Sequence, residues 1–234
     1  MNKDSELQYY LSVSPNKYGI YLFDTKNLTN LYKEEIILNN DTNYQNHDEL
    51  KKFLDDNIFK IEKLSGKFIE NIFLILEDKK IFYLEIGIKK KNYQQSINKK
   101  ILENTLFEVK DLFNKNNHNY KIMHMFINRY LINERVYLEL KEDLNCKNFS
   151  IEVQFISMPT NFALDIEKVL EEFQIKVTCY LNKNYIESLF MNHNLELSNM
   201  AHKTKLGFNK NEVVIVPKNT RKIGFFEKFF QLFS

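Results

Sequence analysis

Two hydrophobic periodicities alternate along this chain and predict a mixture of strands and helices. Segments rich in Tyr, Ile, Leu and Phe predict strands at 9–13, 18–23, 30–38, 68–76, 81–88, 120–132, 149–156 and 175–181. Apolar residues at helical spacing predict helices at 47–64, 96–113, 160–173 and 183–191, with one more at 195–205. This order predicts an α+β fold, in which a mixed sheet carries helices on one face and extra strands precede it.

Local signals fix several of these boundaries. Pro15 and Asn16 predict the turn of a hairpin between the first two strands. Gly66 follows the helix at 47–64 and predicts its C-terminal stop. The apolar run at 213–216 is compatible with an edge strand or with a patch in a linker, and the sequence leaves both readings open.

The carboxyl end carries the clearest pattern in the chain. Wound as an α-helix at about 100° per residue, six large apolar side chains fall within one arc of about 160°, namely Phe225, Phe226, Phe229, Phe230, Leu232 and Phe233. This pattern predicts an amphipathic helix that rests on a membrane surface, because it is shorter than the ~20 residues that span a bilayer. The predicted membrane-binding residues are Arg221, Lys222, Phe225, Phe226, Lys228, Phe229, Phe230, Leu232 and Phe233. Docking of this helix on the protein's own core is the alternative.

Composition narrows the function classes. The 234 residues carry 33 Lys and Arg against 31 Asp and Glu, so no global field attracts nucleic acid. With 5 glycines, the chain has few residues for phosphate-binding loops. Cys146 and Cys179 form no C-x-x-C pair, which predicts free thiols rather than a zinc site. No apolar run reaches 18 residues and residues 1–6 precede no apolar signal core, so we expect a cytosolic protein with peripheral membrane contact.

A search for catalytic chemistry finds no constellation. None of the 5 histidines pairs with another at the spacing of metal ligands, and alternation within a strand predicts a structural role for His124. The adjacent carboxylates of Glu34 and Glu35 do not face one another on a strand. Motifs of serine hydrolases, P-loops and dinucleotide-binding loops do not occur. We therefore expect no enzyme activity, no metal and no cofactor.

Several strings, in order, resemble FtsA, the bacterial cell-division adaptor. The stretch at 122–133 is similar to the family's I-L-H-V-I-P-Q-E-Y-x-V-D, including its His and Tyr. Residues 150–153 resemble its R-L-E-V strand, and 166–175 resemble a helix and turn of the family. The helix at 49–64 with its Ser-Gly end looks like the family's long helix, and 224–230 resembles its terminal membrane helix.

The resemblance implies a reduced FtsA-like organisation. It implies N-terminal strands at 1–44 as a remnant of the actin-like subdomain 1A, and an SHS2-like subdomain 1C at 45–192. A linker at 193–221 and a membrane helix at 222–234 complete it. The family's phosphate loop, D-x-G-T, corresponds to 22–27, where the glycine is missing, so ATP binding is not carried over.

These observations predict a cell-division adaptor or scaffold on the cytoplasmic face of the inner membrane, at the division site. Its expected partners are inner-membrane lipid, division proteins and a second copy of the chain. FtsZ stays among the candidate partners, although no room remains between residue 190 and the tail for the subdomain that contacts it in the family. The alternative is a soluble protein-interaction module, related to pilus assembly or regulation, whose C-terminal helix docks on its own body.

Overall fold

The computed structural model describes residues 7–38, 47–97, 99–139 and 145–213. The chain forms two compact units, with boundaries after Ile81, Pro159 and Phe208. Unit 1 contains the described residues before Phe82 and those from Thr160 to Phe208. Unit 2 contains Phe82–Pro159 and the residues that follow Phe208. The two units therefore alternate in sequence, because Phe82–Pro159 interrupts unit 1 and the chain returns to unit 2 after Phe208.

The described residues form nine strands and five helices. In chain order these elements are β1 (Leu7–Ser14), β2 (Lys17–Asp24), β3 (Thr29–Ile37), α1 (His47–Ser65), β4 (Asn71–Leu76), β5 (Phe82–Ser96), α2 (Lys99–Asn116), β6 (Tyr120–Ile132), β7 (Arg135–Tyr137), β8 (Asn145–Pro159), α3 (Thr160–Glu171), β9 (Lys176–Asn182), α4 (Lys183–Leu189) and α5 (Leu197–Lys205). None of these described helices is long and apolar enough to cross a membrane.

Unit 1 is built on a sheet with the strand order β3-β2-β1-β4-β9. β1, β2 and β3 are antiparallel neighbours, whereas β4 runs parallel to both β1 and β9. α1 packs on one face, where the Phe53 and Tyr18 rings lie 6.0 Å apart. On the other face, Ile186 of α4 and Ala201 of α5 join a buried cluster with Tyr10. Because helices cover both faces, the central strands are apolar along most of their length.

The sequence signals around α1 and the first hairpin are confirmed. Ser14 pairs with Lys17, so Pro15 and Asn16 form the predicted turn between β1 and β2. α1 ends at Ser65, and Gly66 adopts a φ of 68°, in the left-handed region that favours glycine.

Unit 2 is built on an antiparallel sheet with the strand order β5-β8-β6-β7. α2 packs on one face of this sheet, where Phe113 and Phe155 stack with ring centroids 4.5 Å apart. Other side chains of the sheet form polar contacts. The Asn128 amide donates to Glu85 at 3.0 Å, and Arg129 pairs with Glu152.

The α+β class and the three N-terminal strands are confirmed. The units divide the predicted range 45–192 differently, because α1, β4, α3, β9 and α4 belong with the N-terminal strands in unit 1. The cause is long-range pairing, since β4 joins β1 and β9 joins β4 in parallel. The predicted linker 193–221 contains α5, as the separate helix prediction at 195–205 anticipated, and the predicted helix 222–234 lies outside the described residues.

Candidate functional site at the tail root

The predicted membrane-binding residues, Arg221, Lys222, Phe225, Phe226, Lys228, Phe229, Phe230, Leu232 and Phe233, all lie outside the described residues. The described chain reaches Val213. We call residues 209–213 the tail root. Its geometry determines how the body of the protein is joined to the sequence that follows.

The backbone of the tail root extends the sheet of unit 2. The Val213 amide donates to the Met125 carbonyl at 2.7 Å, and the Ile127 amide donates to the Asn211 carbonyl at 2.9 Å. Glu212 thereby forms an antiparallel bridge with Phe126 of β6. On that side of β6, β7 pairs only with Tyr130–Ile132, which leaves this part of the strand edge to the tail root. Of the apolar run 213–216, Val213 therefore joins the sheet, and the other residues lie outside the described residues.

A buried hydrogen-bonded pair holds the side chains of the same segment. The Glu212 carboxylate lies 2.6 Å from His124 Nδ1, and both residues are buried. The structural role predicted for His124 agrees with this position. Pairing within the fold compensates the cost of burying each polar group, so removal of either partner is expected to be costly. Sequence reasoning missed Glu212, because the two residues are 88 positions apart.

Apolar packing and a side-chain hydrogen bond complete the attachment of the tail root. Val213 is buried and belongs to the hydrophobic cluster of unit 2 that contains Met125 and Ile127. The Asn211 side-chain amide donates to the Leu138 carbonyl at 2.7 Å. Backbone hydrogen bonds, the Glu212–His124 pair and apolar burial thus fix the root on unit 2.

Unit 1 presents a second polar cluster, where the parallel strands end. The carboxyl edge of such a sheet is the usual place for a ligand site. Here Lys183 Nζ lies 2.6 Å from Glu77 Oε2 and 3.4 Å from Ser14 Oγ. Burial raises the pKa of Glu77, but the hydrogen bond and charge of Lys183 outweigh burial and hold it below its usual value. The lysine charge is therefore compensated by a carboxylate within the fold.

Residues 22–27, which correspond to the phosphate loop of the FtsA family, do not lie at this carboxyl edge. Asp24 pairs with Leu7 at the start of β1, on the edge opposite the carboxyl ends of β1 and β4. Its carboxylate accepts hydrogen bonds from the Lys26 amide at 2.8 Å and from the Asn27 amide at 3.1 Å. The Asn27 backbone donor, its side chain and Lys26 lower the pKa of Asp24. Asp24 therefore stabilises the turn between β2 and β3.

The half-buried side chain of Lys205 places its amine between α5 and the sheet of unit 1. Lys205 Nζ is 3.0 Å from the Phe73 ring centroid and 5.5 Å from that of Tyr10, and it donates to Gln8 Oε1 at 3.1 Å. Burial lowers the pKa of Lys205 to about 7. His202 Nδ1 lies 3.0 Å from the same Gln8 oxygen, and burial, followed by the charge of Lys205, lowers its pKa. A neutral amine is a nucleophile, although α5 gave no sequence signal for one.

Metal-binding geometry does not occur within the described ranges, where no group of three or more His, Cys, Asp or Glu residues could hold an ion. No protein-family model matches the chain. No curated protein sequence matches it either.

Solved structures show similarity at the level of architecture. The chain is similar to a PilM-PilN type IV pilus biogenesis complex, with a TM-score of 0.49 and 8% identity over 79% of this chain. It is also similar to the cytoplasmic domain of EpsL, an inner membrane component of the Vibrio cholerae type II secretion system, with a TM-score of 0.35 and 7% identity over 77% of this chain. A Bacteroides thetaiotaomicron protein with an actin-like ATPase fold gives a TM-score of 0.36 and 12% identity over 82% of this chain.

The chain covers only part of each of these structures, namely 49%, 57% and 59% of their respective lengths. TM-scores below 0.5 at this level of identity do not identify a function.

Proposed function

We propose that this protein is a peripheral membrane adaptor whose C-terminal helix, 222–234, attaches it to lipid. The observation that carries the proposal is the fixed tail root, which joins an amphipathic sequence to a folded unit. Val213 is hydrogen-bonded to Met125 and buried, and Glu212 is paired with His124. The root fixes the place on unit 2 from which the sequence of the predicted helix continues.

The finer proposal is a cell-division adaptor on the cytoplasmic face of the inner membrane. The ordered FtsA-like strings support it, and the expected partners are inner-membrane lipid, division proteins and a second copy of the chain. A second candidate is the soluble interaction module with a self-docked C-terminal helix. The burial of Val213 in unit 2 favours this candidate, because it shows that the C-terminal segment begins by packing on its own protein.

The energetics favour reversible attachment. Full burial of a Phe side chain contributes about 1.5–3 kcal/mol, and the membrane interface recovers part of that. Each Lys or Arg close to anionic lipid adds about 1 kcal/mol, whereas ordering a helix costs on the order of 1 kcal/mol per residue. These contributions nearly cancel for one helix. Clustering of several copies would therefore make attachment firm through effective concentration.

Co-sedimentation of the full chain with vesicles of phosphatidylglycerol and phosphatidylcholine tests the proposal. A double substitution on the apolar face, Phe226→Glu with Phe229→Glu, is expected to release the protein. The matched control places the same two charges on the polar face, as Gln231→Glu with Ser234→Glu, and is expected to retain most binding. Equal binding of the two variants would exclude lipid attachment through the aromatic face and favour the self-docked alternative.

The division-site proposal requires a test in cells. A fluorescent fusion to the amino terminus is expected to form midcell rings in dividing bacteria, and the Phe226→Glu, Phe229→Glu variant is expected to lose them. A uniform membrane signal would support a membrane adaptor but contradict a role at the division site. A diffuse cytoplasmic signal would favour the second candidate.

A further inference from the structure

Three large apolar side chains of unit 1 are exposed just beyond the ends of α4 and α5. Met191, Leu206 and Phe208 expose 81%, 73% and 47% of their surface. The Phe208 ring packs on Phe190, with centroids 4.2 Å apart, and lies 6.4 Å from the His193 ring. We call Met191, Leu206 and Phe208 the apolar lip. Phe190 is itself buried, so Phe208 packs on a residue of the hydrophobic core of unit 1.

Backbone hydrogen bonds fix the turn that carries Leu206 and Phe208. Gly207 adopts a φ of 84° and its amide donates to the Thr204 carbonyl at 2.9 Å, while the Phe208 amide donates to the Lys203 carbonyl at 3.2 Å. These two bonds form a Schellman motif, which ends α5 and turns the chain sharply. Phe208 occupies the position that normally buries an apolar side chain against the preceding helix, yet about half of it remains in solvent.

Sequence position and charge both point to the partner. Phe208 is followed directly by the tail root, and the predicted lipid-binding helix begins at 222. Lys203, Lys210, Lys218, Arg221 and Lys222 lie within the same short stretch of sequence, in which Glu212 is engaged by His124. A stretch of sequence that combines aromatic and aliphatic residues with basic ones suits the headgroup boundary of an anionic membrane.

We propose that the apolar lip is a second lipid contact, which inserts into the same anionic membrane surface as the C-terminal helix. This inference rests on the proposed function and adds a contact from unit 1 to it. Two weak contacts on one chain raise the effective concentration of each at the membrane. The second contact would therefore restrict how unit 1 is oriented on the membrane, which a single helix at the end of a linker does not do.

A matched pair of double variants tests the effect on binding. Met191→Glu with Leu206→Glu is expected to raise the lipid concentration for half-maximal binding about fivefold or more on phosphatidylglycerol vesicles. The control, Phe68→Glu with Phe59→Glu, alters side chains of equal exposure, 82% and 73%. Both belong to the α1 region, which covers the opposite face of the same sheet, and the control is expected to bind like the unaltered chain. Equal effects of the two variants would overturn the proposal.

A direct reporter of insertion is available because the chain contains no tryptophan. Met191→Trp is expected to shift its fluorescence to the blue and to be quenched by brominated lipid, whereas Phe68→Trp is expected to do neither. Absence of quenching at Met191→Trp overturns the lipid contact. A blue shift without lipid also overturns it, and indicates a second copy if the shift depends on protein concentration or the chain's own tail if it does not.

The two proposals fail separately in these experiments. If the Phe226→Glu, Phe229→Glu variant is released while the Met191→Glu, Leu206→Glu variant binds normally, only the apolar lip is refuted. If the lip variant is released while the tail variant binds normally, lipid attachment through the C-terminal helix is refuted and the lip remains.

Discussion

Glu212 Oε1 and His124 Nδ1 lie 2.6 Å apart in the interior of unit 2, although 88 positions separate the two residues. This contact joins the central strand β6 to the last described segment of the chain. Backbone hydrogen bonds between Val213 and Met125 and between Ile127 and Asn211 connect the same two segments. The pair therefore couples the stability of unit 2 to the attachment of the C-terminal segment.

Glu212→Ala is expected to destabilise the protein by about 1–3 kcal/mol, because it removes the carboxylate that is hydrogen-bonded to the buried His124 imidazole. Amide hydrogen exchange at Ile127 and Val213 should accelerate together, since both amides donate hydrogen bonds between β6 and the root. The control is Glu152→Ala, which breaks an exposed pair with Arg129 and should cost about 1 kcal/mol or less. Similar losses in the two variants, measured by urea unfolding, would contradict a special role for the root.

The buried amine of Lys205 predicts a pH dependence of stability. Its pKa is lowered from 10.5 to about 7 in the folded protein by burial, so the unfolded chain binds more protons between these values. The free energy of unfolding should therefore rise as pH increases from about 7 towards 10.5, and this contribution is lost as pH falls back to about 7. His202, whose pKa is also lowered, extends the loss to more acidic pH.

Urea unfolding at a series of pH values between 7 and 10 measures this effect. Lys205→Met removes the titrating amine while keeping a long side chain over Phe73, and it should flatten the rise. Lys203→Met, two positions earlier on the same helix, is the control and should keep the slope of the unaltered chain. An unchanged slope in Lys205→Met would show that another group controls the pH dependence.

Local structure was largely predictable from the sequence. The helix predicted at 47–64 is observed as His47–Ser65, because Leu50, Phe53, Leu54 and Ile61 recur at helical spacing and Gly66 ends the run. The strand predicted at 81–88 continues to Ser96. The lysines at 89–91 gave no strand signal in the sequence. They are accommodated because β5 lies at the edge of its sheet, where polar side chains reach solvent.

Long-range structure was not predictable in the same way. Periodicity shows which face of a strand is buried, but it does not show which strand lies beside it. The parallel pairing of β4 with β1 and β9 is what assigns α1, α3 and α4 to unit 1. The contacts of the tail root and of Lys205 likewise join residues far apart in sequence, as the 197 positions between Gln8 and Lys205 illustrate.

Two glycines provide a sharp test of backbone strain. Gly66 has a φ of 68° and open space around the position of a Cβ atom, so Gly66→Ala introduces strain without a clash. This substitution should destabilise the protein by about 1 kcal/mol. Gly87 lies within β5, and an added Cβ would meet only Glu152 Cγ at 3.9 Å, so Gly87→Ala should be neutral or stabilising. Equal thermal shifts for the two alanine variants would contradict this assignment.

The Lys183 and Glu77 pair predicts how the carboxyl edge of unit 1 responds to anions. In the unaltered chain the Glu77 carboxylate lies 2.6 Å from the Lys183 ammonium group and pairs with it. Inorganic phosphate should therefore not raise the melting temperature of this chain. Glu77→Ala should lower stability by about 1–3 kcal/mol, because Lys183 is largely buried and loses a charged partner. Phosphate should then recover part of the loss by binding the freed ammonium group.

The double variant Glu77→Ala with Lys183→Met separates this effect from general salt stabilisation. It lacks both the carboxylate and the cation, so phosphate should stabilise it no more than sodium chloride at equal ionic strength. A phosphate response that persists in the double variant would place the anion elsewhere. A response of the unaltered chain equal to that of Glu77→Ala would mean that Glu77 does not block the lysine, and the carboxyl edge would then be open to a phosphate-bearing ligand.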